Sequence, residues 1–449
     1  MTIPPRPSGA PSSRRGVRRW AAATLLPLLL APAMAARATA ATELPAPLTL
    51  ATAEAFMLEN NLSVIAARAG VDAVRAQEVI AAYWPNPTLS LAAEQFDLRH
   101  PRSHLGSDSG EAANRFYTVH LEQELETGGK RARRVENAEQ LRQAAEAQVI
   151  DAARQARFAV AQAFYGMLLA REDFAVAQEN IRLADTTEKL IKDQVDAGNK
   201  SASDLLSFQV SRVQFAQDLT GAELARVQAM GDLANALGLE PERLVQRADG
   251  AAREFSGSLA LVPPDIAHER LAGSAAARAD VRAAERAMAA AASALELARA
   301  QRSIDVTVGV EYQRNGSDNT VGVTASLPLP VWNDHQGEIG AAEAQLRQAR
   351  AQLTLALRQA QADQEKAWQG YQASRRLLAL YSEDTLAKAK RALDIAKSSY
   401  QQGATGLLEL VDAQRTYNQL RVAANQALLS CRLSLAQLSQ ATGIDLPQP

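Results

Sequence analysis

Gln194-Val195-Asp196-Ala197-Gly198 and Ser399-Tyr400-Gln401-Gln402-Gly403 stand 205 positions apart, and the sequence on either side keeps that register. Forward, Asp204-Leu205-Leu206 falls on Glu409-Leu410-Val411, Gln209 on Gln414, and Gly238-Leu239-Glu240 on Gly443-Ile444-Asp445. Backward, Ala138-Glu139-Gln140-Leu141 falls on Glu343-Ala344-Gln345-Leu346. Further upstream the offset becomes 219, where Thr88-Leu89-Ser90-Leu91 meets Thr307-Val308-Gly309-Val310. The chain is therefore two copies of one unit, and the first copy carries an insertion in the polar segment at about 99–115. This divides it into a first repeat at 41–242, a linker at 243–264 and a second repeat at 265–449.

Each repeat reads as a helix (about 63–82 or 275–301), two short alternating segments, a very long helix (about 130–197 or 338–402), a Gly-containing turn and a last helix. Proline breaks helix interiors, and none occurs between Pro101 and Pro241 or between Pro330 and Pro447. Ala145, Val149, Ala152, Ala156, Ala159, Ala163, Met167, Ala170, Phe174, Ala177, Ile181 and Ala184 step by three or four, the spacing of a coiled-coil seam. Ile339, Ala342, Leu346, Ala349, Leu353, Ala356 and Ala360 do the same. Hydrophobic residues make up 47% of the chain but aromatic ones only 5%, so Ala, Leu and Val carry the apolar content and favour close helix packing. At 1.5 Å per residue the long helices run roughly 100 Å.

The alternating segments predict strands at about 88–98, 115–125, 304–313 and 320–329. Val306, Val308 and Val310 alternate with Thr307, Gly309 and Glu311, and Val321, Val323 and Ala325 with Gly322, Thr324 and Ser326. Asn315-Gly316-Ser317-Asp318-Asn319 suits a hairpin turn. Tyr83, Trp84, Phe96, Phe116, Tyr117, Tyr312 and Trp332 sit near strand ends, as an aromatic girdle requires. No uncharged apolar run reaches the length of about 18 residues expected of a spanning helix, so a membrane location requires a β-barrel. Four strands cannot close a barrel, whose usual minimum is about eight, so the reading requires an oligomer; three chains would supply twelve strands.

Arg14, Arg15, Arg18 and Arg19, followed by the apolar stretch from Ala21 to Ala33 and by small residues, read as a secretory signal over about 1–40. Cys431 is the only cysteine, so no intramolecular disulfide forms, and its leucine-rich surroundings make it a small buried residue. The formal charge of -2 gives no case for nucleic acid. His100 and His104 lie in the inserted polar segment without a supporting acid or cysteine cluster, so no metal site is expected there. Gly128-Gly129-Lys130-Arg131 lacks the rest of a phosphate loop and reads as the start of a helix. No cofactor or catalytic constellation is expected, so the chain is not read as an enzyme.

Tyr83-Trp84-Pro85-Asn86-Pro87-Thr88-Leu89, Gln123-Glu124-Leu125-Glu126-Thr127-Gly128-Gly129-Lys130-Arg131 and Leu327-Pro328-Leu329-Pro330-Val331-Trp332-Asn333, within the duplicated order, resemble the TolC family of outer-membrane efflux proteins. They are most like its heavy-metal (cobalt–zinc–cadmium type) branch. The resemblance implies a mainly α fold with a small β part. A trimeric, twelve-stranded outer-membrane β-barrel would continue into a long periplasmic coiled-coil barrel. It implies a homotrimer in outer-membrane lipid, working with a periplasmic adaptor (membrane fusion) protein and an inner-membrane transporter of the RND type. The chain would conduct cargo passively. The alternative is a soluble periplasmic coiled-coil scaffold or pump adaptor, which leaves the alternating segments unexplained.

Glu409-Leu410-Val411-Asp412-Ala413 resembles the family segment that forms the periplasmic aperture. By spacing alone, Glu409 and Asp412 are two solvated acids on one helix face; the resemblance implies rings of carboxylates around the threefold axis, which favour cations. Asp204 occupies the position equivalent to Glu409 in the first repeat. Gly198-Asn199-Lys200 and Gly403-Ala404-Thr405-Gly406 are helix–helix turns; a glycine there serves as a C-cap, and the resemblance adds contact with the adaptor.

Overall fold

The computed structural model describes residues 47–94, 116–240, 256–316 and 318–446. The signal segment, the inserted polar segment with His100 and His104, Phe96 and most of the linker lie outside them. The first repeat comprises α1 (Leu50–Asn60), α2 (Leu62–Ala81), β1 (Thr88–Glu94), β2 (Phe116–Leu125), α3 (Lys130–Asp196) and α4 (Ala202–Leu237). The second comprises α5 (Ala279–Ala300), β3 (Val306–Asn315), β4 (Asp318–Ser326), α6 (Gln336–Leu380), α7 (Glu383–Gln401) and α8 (Leu407–Thr442). Two short 3-10 turns, His268–Leu271 and Ser274–Ala277, precede α5.

Helix α3 runs unbroken for 67 residues and packs against α1, α2, α4, α5 and α8. The sequence seam marks one of its faces. Ala156, Met167, Ala170, Ala177 and Ala184 are buried, whereas Ala159 is exposed and Ala145, Val149 and Phe174 are half-buried. With neighbours on several sides, α3 also buries Val160, Ala161, Phe164 and Leu168.

The second repeat departs from a single helix over 338–402, because the chain breaks at Tyr381–Ser382 between α6 and α7. Ser382 is a helix N-cap: its Oγ accepts from the Thr385 amide at 3.3 Å, and Glu383 and Asp384 fill the first turn of α7. Such a cap satisfies free amides at the start of a new helix, and acids there suit the helix dipole. The helix expected over 275–301 begins at Ala279, after the 3-10 turns. Helix α1, not expected from the sequence, is closed by a reciprocal cap between Thr49 and Thr52.

The four strands form one antiparallel sheet in the order β1-β2-β3-β4. Strand β4 begins at Asp318 and stops at Ser326, ahead of Pro328 and Pro330, which cannot donate to a ladder. Strand β3 runs two residues further than expected, since Asn315 pairs with Asp318 across a turn through Gly316 at φ +59°. Strand β2 pairs with β3, joining the repeats, and among the described residues β1 and β4 have no second strand partner.

The pairing sorts side chains onto two faces. Leu89, Leu121, Val310 and Val323 form one row, and Leu91, Val119, Tyr312 and Val321 the next. The opposite face carries Ser90, His120, Glu311 and Gly322, with Thr88, Glu122, Gly309 and Thr324 beside them. The apolar face is exposed along all four strands, and only the middle of the polar face is shielded. Leu121 is 50%, Val310 53% and Val323 82% exposed, whereas the side chains of His120 and Glu311 are 20% and 19% exposed. This inverts the rule for a sheet in water and matches a sheet with its apolar side in lipid.

Below the sheet, Gly128 and Gly129 turn the chain into α3 at φ +64° and +71°. The Thr127 amide and the Lys130 ammonium both reach Asp305, at 2.8 and 2.5 Å, tying the start of α3 to the start of β3. Arg131 donates to the Ala82 carbonyl at 2.7 Å and lies 5.1 Å from the centre of the exposed Trp84 ring.

Candidate functional site: the paired helical tips

The turn between α3 and α4 and the turn between α7 and α8 have the same geometry. Gly198 and Gly403 both adopt φ +74°. The Asn199 amide donates to the Gln194 carbonyl at 2.9 Å, and the Ala404 amide to the Ser399 carbonyl at 2.9 Å. The duplication seen in sequence is thus repeated in this bond and in the left-handed C-cap that glycine adopts without steric cost.

The two tips share one core. Ala184, Ile191, Phe208, Phe215, Leu393, Tyr400, Leu410 and Val411 form a single buried cluster drawn from α3, α4, α7 and α8. Leu410 and Val411 turn into it, which leaves Glu409 and Asp412 exposed on the other side of α8. Asp204, in the first turn of α4, is half-buried. It lies close enough to Tyr400 that its charge, after burial, helps push the phenol above its ordinary value. The Tyr400 hydroxyl is buried without a hydrogen-bond partner. Lys200 of the first tip places its Nζ 4.8 Å from the centre of the Tyr400 ring, so the tips are clasped across a cation–π contact. In the sequence Lys200 is legible only as a tip residue; its partner is distant, and only the repeat register brings the two turns together.

Above the tips, α8 is fastened to α3. Arg421 pairs with Glu179 at 2.5 Å, and the Asn425 amide donates to Asp173 at 2.9 Å. Burial raises the Asp173 carboxyl above its usual range despite that hydrogen bond. Between this fastening and the tip core, Asn180, Gln414 and Asn418 are buried with side-chain atoms lacking partners. Near the sheet end of α8, the buried Arg432 donates to the carbonyls of Ser258 and Ala260 and fixes the end of the linker. Cys431 is buried beside it, and burial raises its thiol. Among the described residues no cluster of three or more His, Cys, Asp or Glu is arranged to hold a metal ion.

The model of the family described as outer membrane efflux protein matches residues 56–239 and 273–444, one segment inside each repeat. The cobalt-zinc-cadmium resistance protein CzcC of Cupriavidus metallidurans is 24% identical over 390 residues, covering 85% of this chain and 86% of that protein. The crystal structure of the Campylobacter jejuni CmeC outer membrane channel superposes with a TM-score of 0.73 at 16% identity, covering 88% of this chain and 85% of that one. The outer membrane protein VceC of Vibrio cholerae superposes at 0.69 with 21% identity, over 88% and 96% of the two chains. The duplicated helices, the inverted four-stranded sheet and the match to both repeats place this chain in the outer membrane efflux protein family, as an outer-membrane channel with most of its mass in the periplasm.

Proposed function

We propose that this chain works as a homotrimer that conducts cargo from a periplasmic pump to the exterior, and that its cargo is heavy-metal cations. The observation that carries the channel reading is the two-faced sheet, apolar on an exposed face and polar and acidic on the other, with β1 and β4 lacking a second strand partner among the described residues. Three such sheets joined edge to edge leave no strand unpaired. Helix α4 supports the same assembly. Leu206, Val210, Val213, Gln217, Thr220, Leu224 and Val227 step by four and three along it, and all seven are exposed. That is a coiled-coil seam awaiting a helix from another copy.

In this trimer Glu409 and Asp412, with Asp204 behind them, ring the periplasmic aperture. The turns at Gly198, Asn199, Lys200 and at Gly403, Ala404, Thr405, Gly406 meet the periplasmic adaptor. An inner-membrane transporter of the RND type completes the pump, and the channel itself performs no chemistry. The metal reading draws on the similarity to CzcC over most of both chains. It is tested by deleting the gene in its host and restoring it on a plasmid. Loss and recovery of tolerance to cobalt, zinc or cadmium is expected. Unchanged metal tolerance together with lost tolerance to organic toxicants would assign the channel a different cargo.

A further inference from the structure

The polar face of the sheet is acidic, with a single described group able to oppose that charge. Its described charged residues are Glu94, Glu122, Glu124, Glu311 and Asp318, together with His120; no lysine or arginine lies on it. His120 sits in the middle of β2, opposite Ser90 of β1 and Glu311 of β3. Its Nδ1 is 3.3 Å from a Glu311 oxygen and its Nε2 is 3.4 Å from a Glu122 oxygen. Both ring nitrogens therefore face carboxylates, one on its own strand and one on the next.

Gly309 makes the room. A Cβ added there would lie 2.8 Å from His120 Nε2 and 2.6 Å from Thr324 Oγ1, so a side chain at that position would push the imidazole out. From β4 the neighbouring residues are Gly322 and Thr324, and from β1 they are Ser90 and Thr88, none of which titrates. The charge of this stretch of wall is thus fixed by three groups, two carboxylates and one imidazole.

We propose that His120 sets how strongly the barrel lumen prefers cations, through the charge on its ring. This rests on the channel reading above. With the ring neutral, Glu122 and Glu311 present their full charge to the lumen in each chain. With the ring protonated, one of those charges is offset by an imidazolium whose nitrogens lie 3.3 and 3.4 Å from the two carboxylates. Imidazoles in general change charge between about pH 5 and 8, whereas lysine and arginine do not, so this is the residue type that can make a wall pH-dependent. Rings of charged side chains lining a pore set its ion preference.

The test is the K+ over Cl− permeability ratio in planar bilayers at pH 5 and pH 8. It is measured on the full chain carrying Glu409→Ala and Asp412→Ala, so that the narrow end does not set the ratio. His100→Gln and His104→Gln are added, so that His120 is the one histidine left between Thr88 and Leu125. The ratio should rise about twofold from pH 5 to pH 8. His120→Gln should remove the rise and hold the ratio near its high value, and His120→Asn should do the same if the glutamine variant assembles poorly. Glu311→Gln should lower the ratio at both pH values and keep the rise. An undiminished rise in both His120 variants would overturn the proposal and leave the channel standing. Absence of any conductance from the unaltered chain would sink the channel reading, and the proposal with it.

Discussion

The ammonium of Lys200 rests 4.8 Å from the centre of the Tyr400 ring, joining the tip of one repeat to the tip of the other. A cation–π contact at an exposed site contributes about 0.5–1 kcal/mol. Lys200→Ala should therefore speed protease cleavage at both tips, while Lys200→Arg preserves resistance. Tyr400→Phe should be neutral or stabilising by about 1 kcal/mol, because it deletes a buried hydroxyl that has no partner. Tyr400→Ala should cost about 3–5 kcal/mol, as loss of a large buried aromatic does. Thermal unfolding of the detergent-solubilised protein, with cleavage mapped by mass spectrometry, checks the set.

Glu409→Ala with Asp412→Ala should lower cation preference in bilayers and weaken block by multivalent cations, most visibly at low ionic strength. Salt at 0.1 M screens such a ring beyond about 10 Å. Glu139, exposed on α3, is the proper control. Glu179 is not, because it pairs with Arg421. Unchanged selectivity in the double variant would return these acids to an ordinary solvated face.

Burial alone would raise the Asp280 carboxyl, but hydrogen bonds from Arg278 at 3.0 and 2.6 Å outweigh it and hold it below its usual value of 3.8. A carboxyl depressed in the folded state stabilises above its unfolded value, and that stability is lost as pH falls through the folded one. Asp280→Asn should lower stability at neutral pH by about 1.5–3 kcal/mol, the loss of charge-assisted hydrogen bonds, because the buried Arg278 keeps Asp363 at 3.2 Å as a second carboxylate partner. It should make no difference once the medium is acid enough to protonate the native carboxyl. Asp173 has the opposite sign. Its raised carboxyl opposes folding above its folded value and ceases to do so in acid, so Asp173→Asn should stabilise at pH 7 and flatten that part of the profile. Melting curves from pH 3 to 8 separate the two.

Gly128 and Gly129 share a left-handed backbone, but only at Gly128 would a Cβ overlap the Ser303 side chain. Gly128→Ala should therefore reduce the yield of assembled protein more than Gly129→Ala, which carries only the backbone cost of about 1–2 kcal/mol. Equal yields from the two variants would mean that the junction adjusts more freely than its contacts with Asp305 suggest.

Much of this architecture is legible along the chain. The absence of proline, the three-and-four stepping and the repeat register point to long helices because all three are local or periodic signals. The strands are legible because alternation survives in a sheet with one face in lipid. The break at Tyr381–Ser382 is harder to read. It lacks proline and glycine, and its Ser-Glu-Asp-Thr cap lies in a polar stretch that is equally suited to the outside of a continuous helix. Glu409 and Asp412 are readable as one exposed face, whereas the Lys200–Tyr400 clasp and the His120–Glu311 contact are not. Each joins residues about two hundred positions apart, and only packing or strand register puts them together.

The two free borders of the sheet also constrain how the protein is made. A lone chain that finished folding in the periplasm would present oily side chains to water and two unsatisfied strand edges to any extended peptide it met. In the proposed trimer, completing the sheet and recruiting partners would therefore be nearly one event, dependent on how many copies arrive together. Closure is its own proofreading step, because a ring containing too few copies leaves a raw edge open to another.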